Sequence, residues 1–358
     1  MMSSRPIQAI INREAMRHNV SIIQKLSGKS KVFGVVKADG YGHGLSRIYP
    51  ALAQLDGLAV IEMDAAAYLR GLDACRPILL LEGVFSLEEL RHAADLKLDL
   101  VVHNVEQITL LEKCGLAHSF HVFLKINTGM NRLGIAVDQA VQCYEALCRL
   151  PAVERVTAMT HYAEADTARG VDWQNEKLLE ALGPLSIPVS RSNSAALIRF
   201  GADNESWIRP GIVLYGASPI TDVPASSLGL KPVMTLKSGI IGVQELNSGD
   251  RVGYGGMFTA RRNMKVGIVA GGYGDGYPRS IPNGSPVMVD GIRVSTVGRV
   301  SMDTFAVDLT DVPAAGVGSS VVLWGEGLPV EEVAHQAGTI GYELLTRVTA
   351  RVPFVCAD

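Results

Sequence analysis

Up to about residue 230, short apolar runs alternate with helical patterns, and no hairpin turn separates one run from the next. The runs are Val32–Val36, Leu58–Ile61, Ile78–Leu81 and Leu98–His103, then Phe120–Ile126, Val153–His161, Ile187–Arg191 and Trp207–Arg209. They are rich in Val, Ile, Leu and Phe, as strands buried on both faces are. Leu45–Leu55, Asp64–Leu72, Leu87–Leu96, Val105–Cys114, Asp138–Leu150 and Asp172–Leu182 lie between them and repeat apolar residues at helical spacing. Parallel strands require such crossovers, so the pattern predicts an α/β fold: an N-terminal (β/α)8 barrel of the TIM type. A doubly wound open sheet is the competing topology, and eight strand runs favour closure.

Beyond residue 230 the pattern changes. Val233–Val243, Lys265–Ala270, Pro286–Val289, Arg293–Val297, Thr304–Leu309 and Ser320–Trp324 are separated by turn signals such as NSGD, PNGS and VDG. This predicts a C-terminal, mainly antiparallel β domain, with one helix over Val330–Ala337. The expected boundaries are 1–230 for the barrel and 231–358 for the β domain, with Thr221–Leu230 as linker. A short strand over Pro6–Ile11 is placed so that the first ten or so residues can join the β domain; Asn12 then caps a helix.

Composition narrows the function classes. The chain has 358 residues, 47% hydrophobic and 19% charged, which is globular, and a net charge of −3 leaves no basic footprint for nucleic acid or anionic lipid. Five cysteines lack CxxC spacing, and Cys143 and Cys148 have no histidines placed to complete a zinc set, so no metal site is expected and the thiols read as reduced. No run has signal-peptide or membrane-spanning character, which predicts a soluble, cytoplasmic protein.

The chemistry collects at strand ends. In KVFGVVKADGYGHG, Lys37 closes the first strand and is followed at once by glycines. A lysine desolvated there becomes nucleophilic, the state a carbonyl-bearing cofactor needs to form a Schiff base. Lys125 and Asn127 end the fifth strand, His161 ends the sixth, Asn193 and Ser194 follow the seventh, and Arg209 ends the eighth. All these ends meet on the catalytic face of a barrel. Ser194, Gly211 and Ile212 follow the last two strands, where barrels bind phosphate, and Tyr41 offers a phenol from the first loop. A lysine and a phosphate cup on one face suggest pyridoxal 5′-phosphate; neither Walker spacing nor GxGxxG supports a nucleotide.

VVKADGYGHG, LKINTGMNRLG, MTHYAEAD, RSNSA, RPGIVLYG, VGYGGMF, GYGDGYPRSIPNG, VGRVSMD and GYELLTRVTARVP resemble, in order and over nearly the whole chain, the signature blocks of the fold-type III alanine racemases. The resemblance implies a pyridoxal-phosphate enzyme interconverting L- and D-alanine, and a head-to-tail homodimer with both active sites shared. It makes Lys37 the cofactor lysine, and Tyr41, Ser194, Gly211, Ile212 and Tyr342 the phosphate contacts. Arg209 resembles the partner of the ring nitrogen, with His161 bonded to it. Arg132 is similar to the residue that orients the substrate carboxylate, and Lys125 to a lysine that carries a carbamate and holds Arg132. Tyr254, Met302 and Asp303 resemble residues that enter the site from the other subunit, Tyr254 as the second base. Asp166, Arg279, Arg299 and Ile340 are similar to an entry corridor. Asn127 departs from the pattern, standing where many relatives have aspartate. The rival readings are a racemase for serine or a broader range, a non-catalytic carrier of the cofactor, and a decarboxylase. Residues 231–358, with the SMD and RVP blocks, fit a racemase better than the last two.

Overall fold

The computed structural model describes residues 5–116, 118–202, 205–221 and 223–357. The chain divides into two compact units: 1–19, 41–51 and 215–358 form one, and 20–40 with 52–214 form the other. Strand β1 (Gln8–Asn12) belongs to the first, and Asn12 caps the following helix by accepting the Ala15 N–H at 2.8 Å.

The second unit is a parallel barrel. Its strands are β2 (Lys31–Val35), β3 (Gly57–Val60), β4 (Ile78–Leu80), β5 (Asp99–Val102), β6 (Phe120–Lys125), β7 (Val153–Met159), β8 (Val189–Ser190) and β9 (Trp207–Ile208). Each pairs in parallel with its neighbour from β2 to β8, and β9 pairs with β2. The seam between β8 and β9 is stitched by Ser206 N–H to Val189 C=O and Arg209 N–H to Ser192 C=O, both 2.9 Å. All eight predicted runs are strands, six of them trimmed and two, β2 and β3, shifted one residue towards the N-terminus; β8 shrinks to two residues just past Pro188, which has no N–H for a ladder.

Side chains alternate along a strand, so every second residue enters the barrel. On β2 Phe33 precedes Lys37 in this column; on β6 His121 and Phe123 precede Lys125; on β9 Trp207 precedes Arg209. Phe33 stacks on Trp207 at 3.9 Å and meets Phe123 edge-on at 5.7 Å. This aromatic layer fills the barrel beneath the cationic residues, which lie one step further along on β6 and β9 and two on β2.

The first unit holds β10 (Met234–Leu246), β11 (Arg251–Val252), β12 (Phe258–Thr259), β13 (Met264–Ala270), β14 (Pro286–Val289), β15 (Ile292–Val297), β16 (Thr304–Asp308), β17 (Ser320–Trp324) and β18 (Phe354–Ala357). The main sheet runs β13-β16-β15-β14-β17-β10-β1-β18, and β10 also pairs β13, so the long β10 closes it on itself. Pairing is antiparallel except between β1 and β18. The VDG signal is a two-residue hairpin loop, with Asp290 at φ +47° and Gly291 at φ +81° joining β14 to β15. The helical reading of Leu45–Leu55 is shorter in the structure, an α-turn over Leu45–Ile48 followed by a 3-10 turn containing Pro50. Ala225–Leu228 forms a 3-10 turn inside the expected linker, of which residue 222 lies outside the described residues.

Candidate active site

After β2 the backbone turns through left-handed space, with φ of +53° at Ala38, +51° at Asp39, +63° at Gly40 and +50° at Tyr41. The Gly40 N–H closes this turn on the Val36 C=O at 3.0 Å. Such φ values cost a non-glycine residue roughly 1–2 kcal/mol each, so strain sits beside Lys37. The Lys37 amine is half-buried. Burial, and then the Arg132 guanidinium, pull its pKa below the ordinary lysine value, while Glu82 and Glu62 oppose.

Lys125 ends β6 and is buried. Burial, followed by the charges of Arg209 and Arg132, pulls its amine down to about 8. The next loop returns on itself, with the Asn127 carboxamide oxygen accepting the N–H groups of Gly129 (3.1 Å) and Asn131 (3.0 Å). Its return needs glycine at 134, at φ +136°, because a Cβ there would stand 2.6 Å from the Asn127 nitrogen. Arg132 is carried at the exposed edge of this loop, and Lys125, Asn127, Arg132 and His161 line one small concavity.

His161 follows β7. Burial, then Arg209, Lys125, Arg132 and Lys37, hold its imidazole well below the ordinary histidine range, so it is neutral at pH 7. Its carbonyl accepts from the fully buried Gln174 at 3.2 Å, and Gln174 also donates to the Thr128 hydroxyl at 3.0 Å. One glutamine thereby joins the exits of β6 and β7.

Arg209 is buried, and burial draws it down to about 10, with Glu205 opposing. Its guanidinium donates to the Ser190 hydroxyl, to the Thr160 carbonyl at 2.6 Å and to the Arg191 carbonyl at 3.3 Å. Asn193 caps the helix Ser194–Phe200 by accepting the Ala196 N–H at 3.0 Å. The Ser194 hydroxyl accepts the Gly211 N–H at 2.8 Å, and Ile212 is buried beside it in sequence. Asp166 is exposed in the loop after β7.

The remaining sequence-expected residues belong to the β-rich unit. Tyr41 is buried, stacked on Tyr215 at 4.7 Å and 5.9 Å from Tyr342; burial pushes its phenol up to about 12, so it is a neutral donor. Tyr254 opens a 3-10 turn whose Gly255 carbonyl is held by Arg251 at 2.9 Å, and the residue is 72% exposed. Met302 and Ile340 are exposed too, as are Asp303 and Arg279, while Arg299 is half-buried.

Sequence reasoning missed two carboxylates and an imidazole at the barrel mouth. Glu62 and Glu82 follow β3 and β4, and His103 follows β5 with its imidazole 3.1 Å from the Glu82 carbonyl. The same strand-end rule would have found all three. Gln174 and the buried Glu205 carry no local signal.

A barrel that gathers two lysines of lowered pKa, two guanidinium groups and a neutral imidazole at one mouth defines an enzyme built to hold an anionic ligand beside a reactive amine. Among the described residues, no helix is long and apolar enough to cross a membrane. Residues 11–219 match the model of the alanine racemase N-terminal domain, and residues 233–356 match that of the C-terminal domain. The chain is 48% identical to an alanine racemase of Nitrosomonas eutropha, covering 98% of this chain and 99% of that one. It is 44% identical to the catabolic alanine racemase of Salmonella typhimurium over the same shares. The crystal structure of the biosynthetic alanine racemase from Pseudomonas aeruginosa superposes with a TM-score of 0.96 at 42% identity, covering 99% of this chain and 100% of that one. The chain belongs to the alanine racemase family and is an isomerase.

Proposed function

We propose that this protein racemises alanine with pyridoxal 5′-phosphate, using Lys37 and Tyr254 of the partner subunit as bases on opposite faces of the substrate. The observation that carries this reading is the Lys37 amine, lowered in pKa by burial and Arg132 at the mouth of a barrel whose neighbouring groups are cationic. The residues fit the cofactor: a lysine whose pKa burial lowers for its aldehyde, and Ser194, Gly211 and Ile212 after the last strands for its phosphate. Tyr41 and Tyr342 supply phenols to that phosphate, and Asn193 fixes the start of the Ser194 helix. When bound, the cofactor supplies an electron-withdrawing ring joined to the substrate nitrogen, which acidifies the Cα–H.

The chain's own residues do the rest. Lys37 removes or returns the proton at one face of Cα, and the phenol of the partner's Tyr254 does the converse at the other. An exposed Tyr254 on a turn tied down by Arg251, with Met257 and Met302 also exposed, is a surface suited to covering by a second copy. Arg209 keeps its proton and donates to the ring nitrogen without surrendering it. Arg132 binds the substrate carboxylate, and a carbamate on Lys125 turns a repelling cation into an anion that holds Arg132. Met302 and Asp303 of the partner subunit bound the substrate space; Asp166, Arg279, Arg299 and Ile340 form its approach. By mirror symmetry the free enantiomers have equal energy, so one cytoplasmic catalyst serves D-alanine supply for peptidoglycan or alanine catabolism as demand dictates.

The test is chiral analysis of purified, cofactor-loaded protein given L-alanine, L-serine or L-lysine. D-Alanine is expected to form fastest, and Lys37→Ala to lose at least about a thousandfold in rate. A loaded wild-type protein that forms no D-alanine overturns the reading.

A further inference from the structure

A carboxylate taken out of water is costly unless donors surround it. Glu205 lies just before β9, with its side chain 2% exposed, and its donors all come from the exit of β8. One oxygen accepts the main-chain N–H groups of Arg191 (2.5 Å) and Ser192 (2.9 Å). The other accepts the Ser192 hydroxyl at 2.5 Å and faces the Arg191 Nε at 3.8 Å. Its own carbonyl is tied to the Ser30 hydroxyl at 2.7 Å.

The five residues 190–194, the last of β8 and the four that follow it, do two jobs. Ser190 Oγ and the Arg191 carbonyl seat the Arg209 guanidinium, and the Ser192 carbonyl takes the Arg209 N–H. Immediately afterwards Asn193 caps the helix and Ser194 Oγ takes the Gly211 N–H. β8 itself is two residues long, too short to fix the segment after it by ladder bonds alone. We propose that Glu205 is a positioning residue for the cofactor site: by fixing Arg191 and Ser192 it aims Arg209 and sets Ser194 and Gly211 for the phosphate. This rests on the proposed pyridoxal-phosphate reading. Glu205 is also the charge that most favours the cationic form of Arg209, which agrees with the geometry.

The experiment titrates pyridoxal phosphate into full-length, cofactor-stripped protein and follows its absorption spectrum, for wild type, Glu205→Gln, Ser192→Ala and Ser194→Ala, with folding checked by circular dichroism. Glu205→Gln keeps the volume but loses charge-assisted acceptors, and is expected to weaken binding about tenfold. It also moves the absorption band of the bound cofactor, because Arg209 loses its fixed seat. Ser192→Ala removes one bond to Glu205 and is expected to weaken binding about threefold. Ser194→Ala weakens binding without moving the band. Affinity and band unchanged in Glu205→Gln, while Ser194→Ala is weakened, overturn the inference. If Glu205→Gln does not fold, Ser192→Ala decides, and wild-type affinity there overturns it. If wild type takes up no cofactor, or Ser194→Ala binds as wild type does, the cofactor assignment itself has failed and this inference falls with it.

Discussion

At neutral pH an ordinary lysine is almost wholly protonated and inert towards carbon dioxide. Lys125 is not ordinary, since burial and the neighbouring Arg209 and Arg132 charges bring it to about 8. The neutral amine that forms a carbamate therefore grows as pH rises through 8. While Lys125 is a free amine, the unfolded chain, at an ordinary 10.5, binds more protons than the folded one between 8 and 10.5, so folding stability rises with pH across that window, by about 3 kcal/mol at most. Carbon-13 NMR with labelled bicarbonate is expected to show a carbamate that Lys125→Met lacks; no such resonance in active protein removes the assignment. The sequence exposed Lys37, Lys125, His161, Ser194 and Arg209 because each closes or follows an apolar run, and a strand end is a fixed address in a barrel. Glu205 was illegible, being a carboxylate before a strand of two residues, whose burial is decided by a seam between segments distant in sequence.

Among the elements of the β-rich unit, the loop over Gly271–Gly276 depends on one buried carboxylate. Asp275 is inaccessible to solvent; Arg5 donates to it at 2.7 and 3.1 Å, Arg351 at 2.8 Å and the Gly272 N–H at 2.9 Å. The same arginines reach on to the Asp303 carbonyl (2.8 Å), the Asp303 carboxylate (2.8 Å) and the Met302 carbonyl (3.0 Å), so the SMD loop is fixed by the same charges. Burial alone would raise the Asp275 pKa, but hydrogen bonds from Arg5 and Arg351 outweigh it and hold the carboxyl below its usual 3.8. A depressed carboxyl contributes stability in full above the unfolded value, and loses it as pH falls through the folded one. Asp275→Asn is expected to cost about 3–5 kcal/mol in denaturant unfolding and to flatten the acid limb below pH 3.8. An unchanged midpoint and an unchanged acid limb would contradict this account. The long strands and the VDG hairpin were readable from alternation and turn chemistry. The two-residue β11 and β12, the final β18 and the helix Gly341–Thr346 were not, because each is too short to show a period.

At the scale of the whole molecule, the alternation of runs and helices made the barrel legible, and the change near residue 230 made the β-rich unit legible. That 41–51 groups with the β-rich unit had no signature, since a helix turn reads alike whichever core receives it. The account's central claim lies above the single chain: two bases on one substrate come from two protomers. Lys37→Ala and Tyr254→Phe proteins, each expected to be inactive alone, are unfolded and refolded together with distinct tags, and the mixed dimer is assayed for D-alanine from L-alanine. In a two-fold dimer with shared sites, the mixed species regains one site holding both native groups. The whole mixture then recovers roughly a quarter of wild-type activity, half the dimers being mixed and half their sites intact. A mixed dimer as inert as its parents, or a Tyr254→Phe protein that racemises alanine unimpaired in both directions, contradicts the account.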